Sequence, residues 1–293
     1  MHDFPDESSC RAHFKRQREK QGITCKRCGC IKHYWLKGKE QWQCSSCSFR
    51  TCLRSGTMME YGKLPIQKWY LAMLMMTATK KGISALELQR QLGHTRYESI
   101  WSMMHKIRTA MGKRDDLYQL AGMLELDEGY FTKSTPQSTQ LKRGKGSQKQ
   151  QNVAVIAEST ELESIESGKK SKQCRYFKMK VLEDHKSGSI NAVVQENIDE
   201  KSVVFSDHSA SYIDISQYVE VHISEKSNNE VTQTTLKWVH IAISKAKRWL
   251  LGIHHKIKGK YLQNYLNEFC YKLNRRYFGE KLFDRGLIAL IGN

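Results

Sequence analysis

The sequence predicts an α+β protein of several domains, and three observations support this prediction. Paired cysteines with regular spacing lie near the N-terminus, and apolar residues with a helical period follow over residues 61–114. From residue 121 onward, short apolar strands alternate with helical stretches. The chain has 293 residues, of which 39% are hydrophobic, so it can bury a sizeable core and is not a disordered protein.

Positive charge is concentrated at the two ends of the chain. The net charge of +18 divides into +6 for residues 1–60, +6 for residues 61–120, −3 for residues 121–235 and +9 for residues 236–293. This division indicates basic regions that bind a polyanion around an acidic centre. A Lys-rich surface that serves only solubility is the alternative interpretation.

The first residues contain no apolar segment typical of a signal peptide. The longest apolar run, residues 69–78, has about half the roughly twenty residues that a membrane-spanning helix needs. We therefore expect a soluble, cytoplasmic protein.

Six of the nine cysteines lie between residues 25 and 52. Two C-x2-C pairs, Cys25 with Cys28 and Cys44 with Cys47, have the spacing of a structural zinc site, in which four thiolates surround Zn²⁺. The sequence thus predicts a zinc ribbon over residues 25–56, with Cys30 as a possible replacement for Cys28. The polar residues 1–24 before it are expected to form a basic arm or a short helix.

Residues 61–114 have the pattern of three helices. Pro65 suits the start of the first helix, Ser84 and Glu87 form a capping box for the second, and Gly93 marks a tight turn before the third. This order is typical of a helix-turn-helix domain that binds DNA, although a plain three-helix bundle would give the same pattern. Four basic side chains would lie on or near the exposed face of the third helix, namely Arg96, His105, Lys106 and Arg108.

The segment from residue 121 to residue 293 predicts an RNase H-like α/β domain with a helical C-terminus. Three strands near residues 123–131, 153–157 and 175–182 precede a helix at 187–198, a strand at 203–207 and a fifth strand at 220–224. In this order Asp127 on the first strand and Asp207 at the end of the fourth lie side by side. A mobile basic loop at residues 132–152 contains Lys142, Arg143 and Lys145.

Two carboxylates in one cleft repel each other unless a divalent cation bridges them. Carboxylate oxygens select Mg²⁺ or Mn²⁺, which assist phosphoryl transfer. Asp127 and Asp207 are therefore candidate ligands of a catalytic metal.

With these motifs, the chain resembles the zinc-ribbon transposases of small bacterial insertion sequences, the ISXO-type group of the DDE superfamily, over about residues 25–276. The matching motifs are the two cysteine pairs, KGISA at 81–85, LDEGY at 126–130, SDHSASY at 206–212, GIHH at 252–255 and YLQNYLNEF at 261–269. The resemblance implies that water cleaves the ends of the element and that the freed 3′-hydroxyl attacks target DNA. It implies double-stranded DNA as partner, a homodimer or larger assembly on DNA, and association with the bacterial nucleoid.

The sequence departs from this family at the third acidic residue. The matching position is His240, and Lys247 follows two helical turns later, on the same face. We expect His240 to be a nitrogen ligand of the catalytic metal, which favours Mn²⁺ over Mg²⁺, and Lys247 and Arg248 to contact DNA. The alternatives are a decayed site, or Glu225 or Glu230 as the third acid.

Three functions compete at this point. The first is a DNA transposase with metal-dependent strand cleavage and strand transfer. The second is a catalytically inactive DNA-binding remnant or repressor that uses the zinc ribbon and the helix-turn-helix. The third, a structure-specific nuclease on the same fold, is disfavoured by the N-terminal DNA-reading modules.

Overall fold

A computed structural model of the chain describes residues 4–134, 147–163, 170–184, 186–226, 228, 234–255, 257–279 and 281–291. The chain divides into two compact units, one of residues 1–114 with 277–293 and the other of residues 115–276. None of the described helices is both long and apolar enough to cross a membrane. Four predicted residues lie outside the described ranges: Lys142, Arg143, Lys145 and Glu230.

The first unit begins with helix α1 (Glu7–Gln21), so the segment predicted as an arm or a short helix is a helix. The Asp6 side chain accepts a hydrogen bond from the Ser9 backbone N–H at 2.7 Å, and the Ser9 hydroxyl accepts one from the Asp6 N–H, which completes a capping box. An antiparallel sheet follows, made of β1 (His33–Leu36), β2 (Gln41–Cys44) and β3 (Arg50–Cys52).

Helices α2 (Ile66–Ala78), α3 (Ala85–Gln91) and α4 (Tyr97–Asp116) follow in the predicted order. The Ser84 hydroxyl caps α3 by accepting the Glu87 N–H at 3.1 Å, as the sequence predicts.

The C-terminal helix α8 (Lys281–Ile291) belongs to the first unit, which corrects the predicted end of the RNase H-like domain at residue 293. Gly286 of α8 lies against α2, because a Cβ atom at this position would come within 3.0 Å of the Met73 side chain. The apolar period of α8 fixes which face it buries but not which unit it packs on, and this is why the sequence pattern does not reveal the placement.

The second unit contains a five-stranded sheet with the order β6-β5-β4-β7-β8. Its strands are β4 (Met123–Thr132), β5 (Gln150–Glu163), β6 (Lys170–Val181), β7 (Val203–Asp207) and β8 (Val221–Glu225). The first three pair antiparallel, whereas β7 is parallel to both β4 and β8. This is the topology that the predicted RNase H-like domain requires.

Helices cover both faces of this sheet. Helix α5 (Ser187–Asn197) packs on one face, where Leu124 and Leu126 of β4 contribute to a buried core with Ile190. Helices α6 (Lys237–Ile253) and α7 (Gly259–Asn274) pack on the other face. Since side chains alternate along a strand, Glu125 and Asp127 of β4 face α6.

A buried polar network joins the two ends of the second unit. Asp115 accepts hydrogen bonds from Arg275 at 2.5 Å, from Asn274 at 3.3 Å and from the Tyr118 hydroxyl at 3.3 Å. Asp115 and Arg275 are 5% and 8% exposed. Removing one partner of a buried ion pair lowers the stability of the fold strongly, because the other charge then stays buried without a partner.

We therefore expect Asp115→Ala to lower the free energy of unfolding by about 3–5 kcal/mol in urea titrations. Asp115→Leu combined with Arg275→Met should recover most of this loss, because it removes both charges. A double variant as unstable as Asp115→Ala would contradict this account.

Candidate active site and zinc site

The acidic pair lies on two neighbouring parallel strands, with Asp127 in the middle of β4 and Asp207 at the end of β7. Leu126 of β4 pairs with Ser206 of β7, so the next residues, Asp127 and Asp207, lie beside each other. Asp127 Oδ1 accepts the backbone N–H of Glu128 at 2.7 Å. Asp207 Oδ1 is buried and has no hydrogen-bond partner among the described residues. A buried carboxylate oxygen without a donor suits a cation, so the chemistry of this pair fits a divalent metal.

The electrostatics of the two carboxylates also fit a divalent metal. Burial raises the pKa of Asp127 to about 7, the Glu128 N–H opposes this shift, and the charges of Asp207 and Glu128 add to it. Lys247 partly offsets the increase. Without a cation, Asp127 is therefore only partly ionised at neutral pH.

His240 lies in the first turns of α6, with Nε2 at 3.6 Å from Asp127 Oδ2. Burial lowers the pKa of His240, and the charge of Asp207 opposes this shift. The imidazole is thus mostly neutral at pH 7, which is the form that binds metals. The structure brings Asp127, Asp207 and His240 together, as the sequence predicts.

Lys247 and Glu225 also lie near this site. The Lys247 Nζ is 5.7 Å from the centre of the Phe131 ring, and its charge acts on Asp127. Glu225 pairs in register with Asp207, but its Oε2 accepts a hydrogen bond from the Thr235 hydroxyl at 3.0 Å. Of the two side chains His240 and Glu225 beside the acidic pair, His240 has the recorded close approach to Asp127, at 3.6 Å, and Glu225 has its recorded hydrogen bond with Thr235.

A groove of about 640 Å³ runs along the outer face of α6 and includes His240. The predicted DNA contact Arg248 lines it, together with Lys237 and Lys245, which are not among the predicted contacts. All three are exposed. Their spacing of eight and three residues places them on one helical face, and this is the signal that could have identified them.

The four predicted zinc ligands converge in the first unit. The sulfur atoms of Cys25, Cys28, Cys44 and Cys47 lie within 4.8 Å of one another. The Cys25–Cys47 and Cys28–Cys44 sulfur distances are both 3.5 Å. Four sulfurs at Zn–S distances of about 2.3 Å would be about 3.8 Å apart, so these thiols fit a tetrahedral zinc site. Cys30 lies outside the group and contacts the Ser45 hydroxyl at 3.6 Å.

Helix α4, the predicted recognition helix, exposes fewer basic side chains to DNA than the sequence predicts. Arg96 is exposed, and the Lys106 Nζ donates to the Glu60 carbonyl at 2.7 Å. Arg108 and His105 are only 1% and 7% exposed, so the expectation that they lie on the exposed face was wrong. The reason is that α4 is buried around most of its circumference, whereas the sequence suggested one apolar stripe. Besides the N-terminal turn after Arg96, the exposed residues of α4 are Ser102, Lys113 and Asp116.

Comparison with known families agrees with this architecture. Residues 119–274 match the ISXO2-like transposase domain. The chain belongs to this family. Residues 5–50 match the transposase zinc-ribbon domain, which therefore includes α1 as well as the cysteines. This DNA transposase has no match among curated proteins.

Similar solved structures include the Mos1 mariner paired-end complex with Mn, with 12% identity, 72% of this chain and 75% of that chain covered, and a TM-score of 0.31. The Mos1 strand transfer complex follows with 9% identity, coverage of 76% and 77%, and a TM-score of 0.28. Similarities of this size do not establish residue correspondences.

The zinc assignment predicts that Cys25→Ser or Cys44→Ser abolishes the bound zinc, because three thiolates cannot close the tetrahedron. Cys30→Ser, the matched control, should keep one zinc per chain, measured by elemental analysis of purified protein. Loss of zinc in Cys30→Ser with retention in Cys28→Ser would instead assign the ligand role to Cys30.

The raised pKa of Asp127 predicts a pH-dependent effect of Asp127→Asn on stability. The folded state binds a proton that the unfolded state releases above about pH 4, so the wild type loses stability as the pH rises to about 7. In zinc-loaded protein without Mg²⁺ or Mn²⁺, Asp127→Asn should be more stable than wild type by about 2–4 kcal/mol at pH 8 and by much less at pH 5. Equal differences at both pH values in urea titrations would contradict this, and exposed Glu196→Gln is the control.

Proposed function

We propose that this transposase cleaves and joins DNA strands at a metal site formed by Asp127, Asp207 and His240. The observation that supports this most directly is the buried Asp207 Oδ1, which has no hydrogen-bond partner among the described residues and lies beside Asp127. The 3.6 Å separation of His240 Nε2 from Asp127 Oδ2 adds a nitrogen donor to the same cleft.

Divalent metal ions, when bound, would activate the attacking oxygen and stabilise the leaving oxygen of the phosphodiester. Asp127 and Asp207 would hold these ions, and His240 would supply a neutral nitrogen ligand that favours Mn²⁺. Lys247, whose charge already acts on Asp127, would bind a phosphate of the scissile strand. Water would attack at the ends of the element, and the freed 3′-hydroxyl would then attack target DNA.

The basic groove on α6 is the proposed path of DNA next to this site. Lys237, Lys245 and Arg248 line the groove that contains His240, and phosphate contacts of this kind position a duplex without reading its sequence. Exposed Arg96 and the zinc ribbon would recognise the ends of the element, whereas Lys106 is held by the Glu60 carbonyl. Two ends must be joined, so we propose that the transposase acts as a dimer or larger assembly.

A strand-transfer assay with duplexes carrying the ends of the element tests the proposal. Asp127→Ala and Asp207→Ala should each lower the rate roughly 10³-fold or more, because each removes a metal ligand. Wild-type activity should be higher with Mn²⁺ than with Mg²⁺. Exposed Glu196→Ala on α5 should leave the rate unchanged.

Strand transfer that persists in the aspartate variants would overturn the catalytic assignment. Equal or better wild-type activity with Mg²⁺ would overturn the ligand role of His240. DNA binding without any strand transfer by the wild type would favour the alternative function as a DNA-binding remnant or repressor.

A further inference from the structure

Glu125 is a fully buried carboxylate on β4, two residues before Asp127. Its Oε2 accepts hydrogen bonds from the backbone N–H groups of Trp238 at 2.6 Å and Val239 at 3.1 Å. These groups belong to the first turn of α6, where N–H groups have no partner within the helix. A negative charge at this end also interacts favourably with the helix dipole.

The capping group has to come from outside α6. The residue at the N-cap position is Leu236, which is 2% exposed, belongs to the apolar core and makes no side-chain cap. The usual Ser, Thr, Asp or Asn cap is therefore missing. Glu125 supplies the missing acceptor from a strand more than a hundred residues earlier in the chain.

Three residues on one face of β4 contact α6, and successive residues along the strand contact successive positions along the helix. Glu125 caps the first turn, Asp127 lies 3.6 Å from His240, and Gly129 lies under Ile243. A Cβ atom at Gly129 would be 3.2 Å from Ile243 Cγ1, so the absence of a side chain permits a close approach of the helix. The strand that provides the first acidic ligand thus also fixes the position of the helix that carries His240.

We propose that Glu125 is a positioning residue for the metal site, which sets the distance between His240 and Asp127 by holding the first turn of α6. This inference rests on the proposed function of His240 as a metal ligand. His240 directly follows Val239, so loosening of the capped turn displaces it first. The buried apolar stripe of α6 runs from Leu236 and Val239 to Ile243, Ala246 and Leu250 and holds the helix against the sheet, and Glu125 adds to it the polar contacts to the backbone of the first turn.

Mn²⁺ binding to the full, zinc-loaded chain separates positioning from a merely structural role. Affinity is measured by electron paramagnetic resonance of free Mn²⁺ in wild type, Glu125→Ala, His240→Ala and the double variant. Glu125→Ala should weaken the affinity by about 10-fold or more, as expected for a residue that orients a ligand. In the His240→Ala background the same substitution should change the affinity by less than about twofold, because the ligand that Glu125 positions is gone.

The control for general destabilisation is Ile190→Val on α5, on the opposite face of the sheet, which should leave Mn²⁺ affinity unchanged. If Glu125→Ala does not fold, Glu125→Asp gives the same comparison. Its shorter carboxylate should weaken affinity about threefold or more in the wild type and less than about twofold beside His240→Ala.

The inference is wrong if the Glu125 variants bind Mn²⁺ as the wild type does, or if they weaken binding equally in both backgrounds. If His240→Ala itself leaves the affinity unchanged, His240 is not a ligand, and both the inference and that part of the proposed function are wrong. Strand transfer that persists in Asp127→Ala is a separate result, which overturns the catalytic assignment alone.

Discussion

The second unit depends on one electrostatic constraint, the placement of two like charges side by side. Parallel pairing of β4 with β7 puts Asp127, in the middle of β4, beside Asp207 at the end of β7, on strands that lie only about 4.8 Å apart. Burial raises the pKa of Asp127 to about 7, and the charge of the neighbouring Asp207 adds to this increase. The arrangement is unfavourable without a cation, so the geometry that costs stability would favour the binding of the proposed divalent metal.

The positions of the two acids follow from the sequence because strand order and alternation are local properties. The order of the predicted strands, with Asp127 in the first and Asp207 at the end of the fourth, was sufficient to place the carboxylates together, and the spacing of four cysteines was sufficient to predict a zinc site. The role of Glu125 could not be predicted in this way. Its alternation with Leu124 puts it on the same face as Asp127, but only the packing of α6 shows that this face is buried and that the carboxylate caps a helix.

Arg108 and helix α8 were misplaced for the same physical reason. An apolar period reports which side of a helix is buried, and it does not report how many other elements surround that helix. Helix α4 is covered on most sides, so a cationic side chain that looked exposed is buried. Helix α8 packs on α2 of the first unit although its sequence directly follows the second.

The proposed role of His240 in place of a third acid is consistent with this charge balance. A third carboxylate would add a negative charge to a cleft in which burial and Asp207 already hold Asp127 partly protonated near pH 7. As proposed, a neutral imidazole 3.6 Å from Asp127 would supply a ligand without that repulsion, but it would also attract a cation less strongly. The affinity for the cation then depends more on the geometry of the three donor groups. The position of His240 therefore affects metal affinity more than the position of a carboxylate would. A fixed first turn of α6 is the structural condition for a site of this composition.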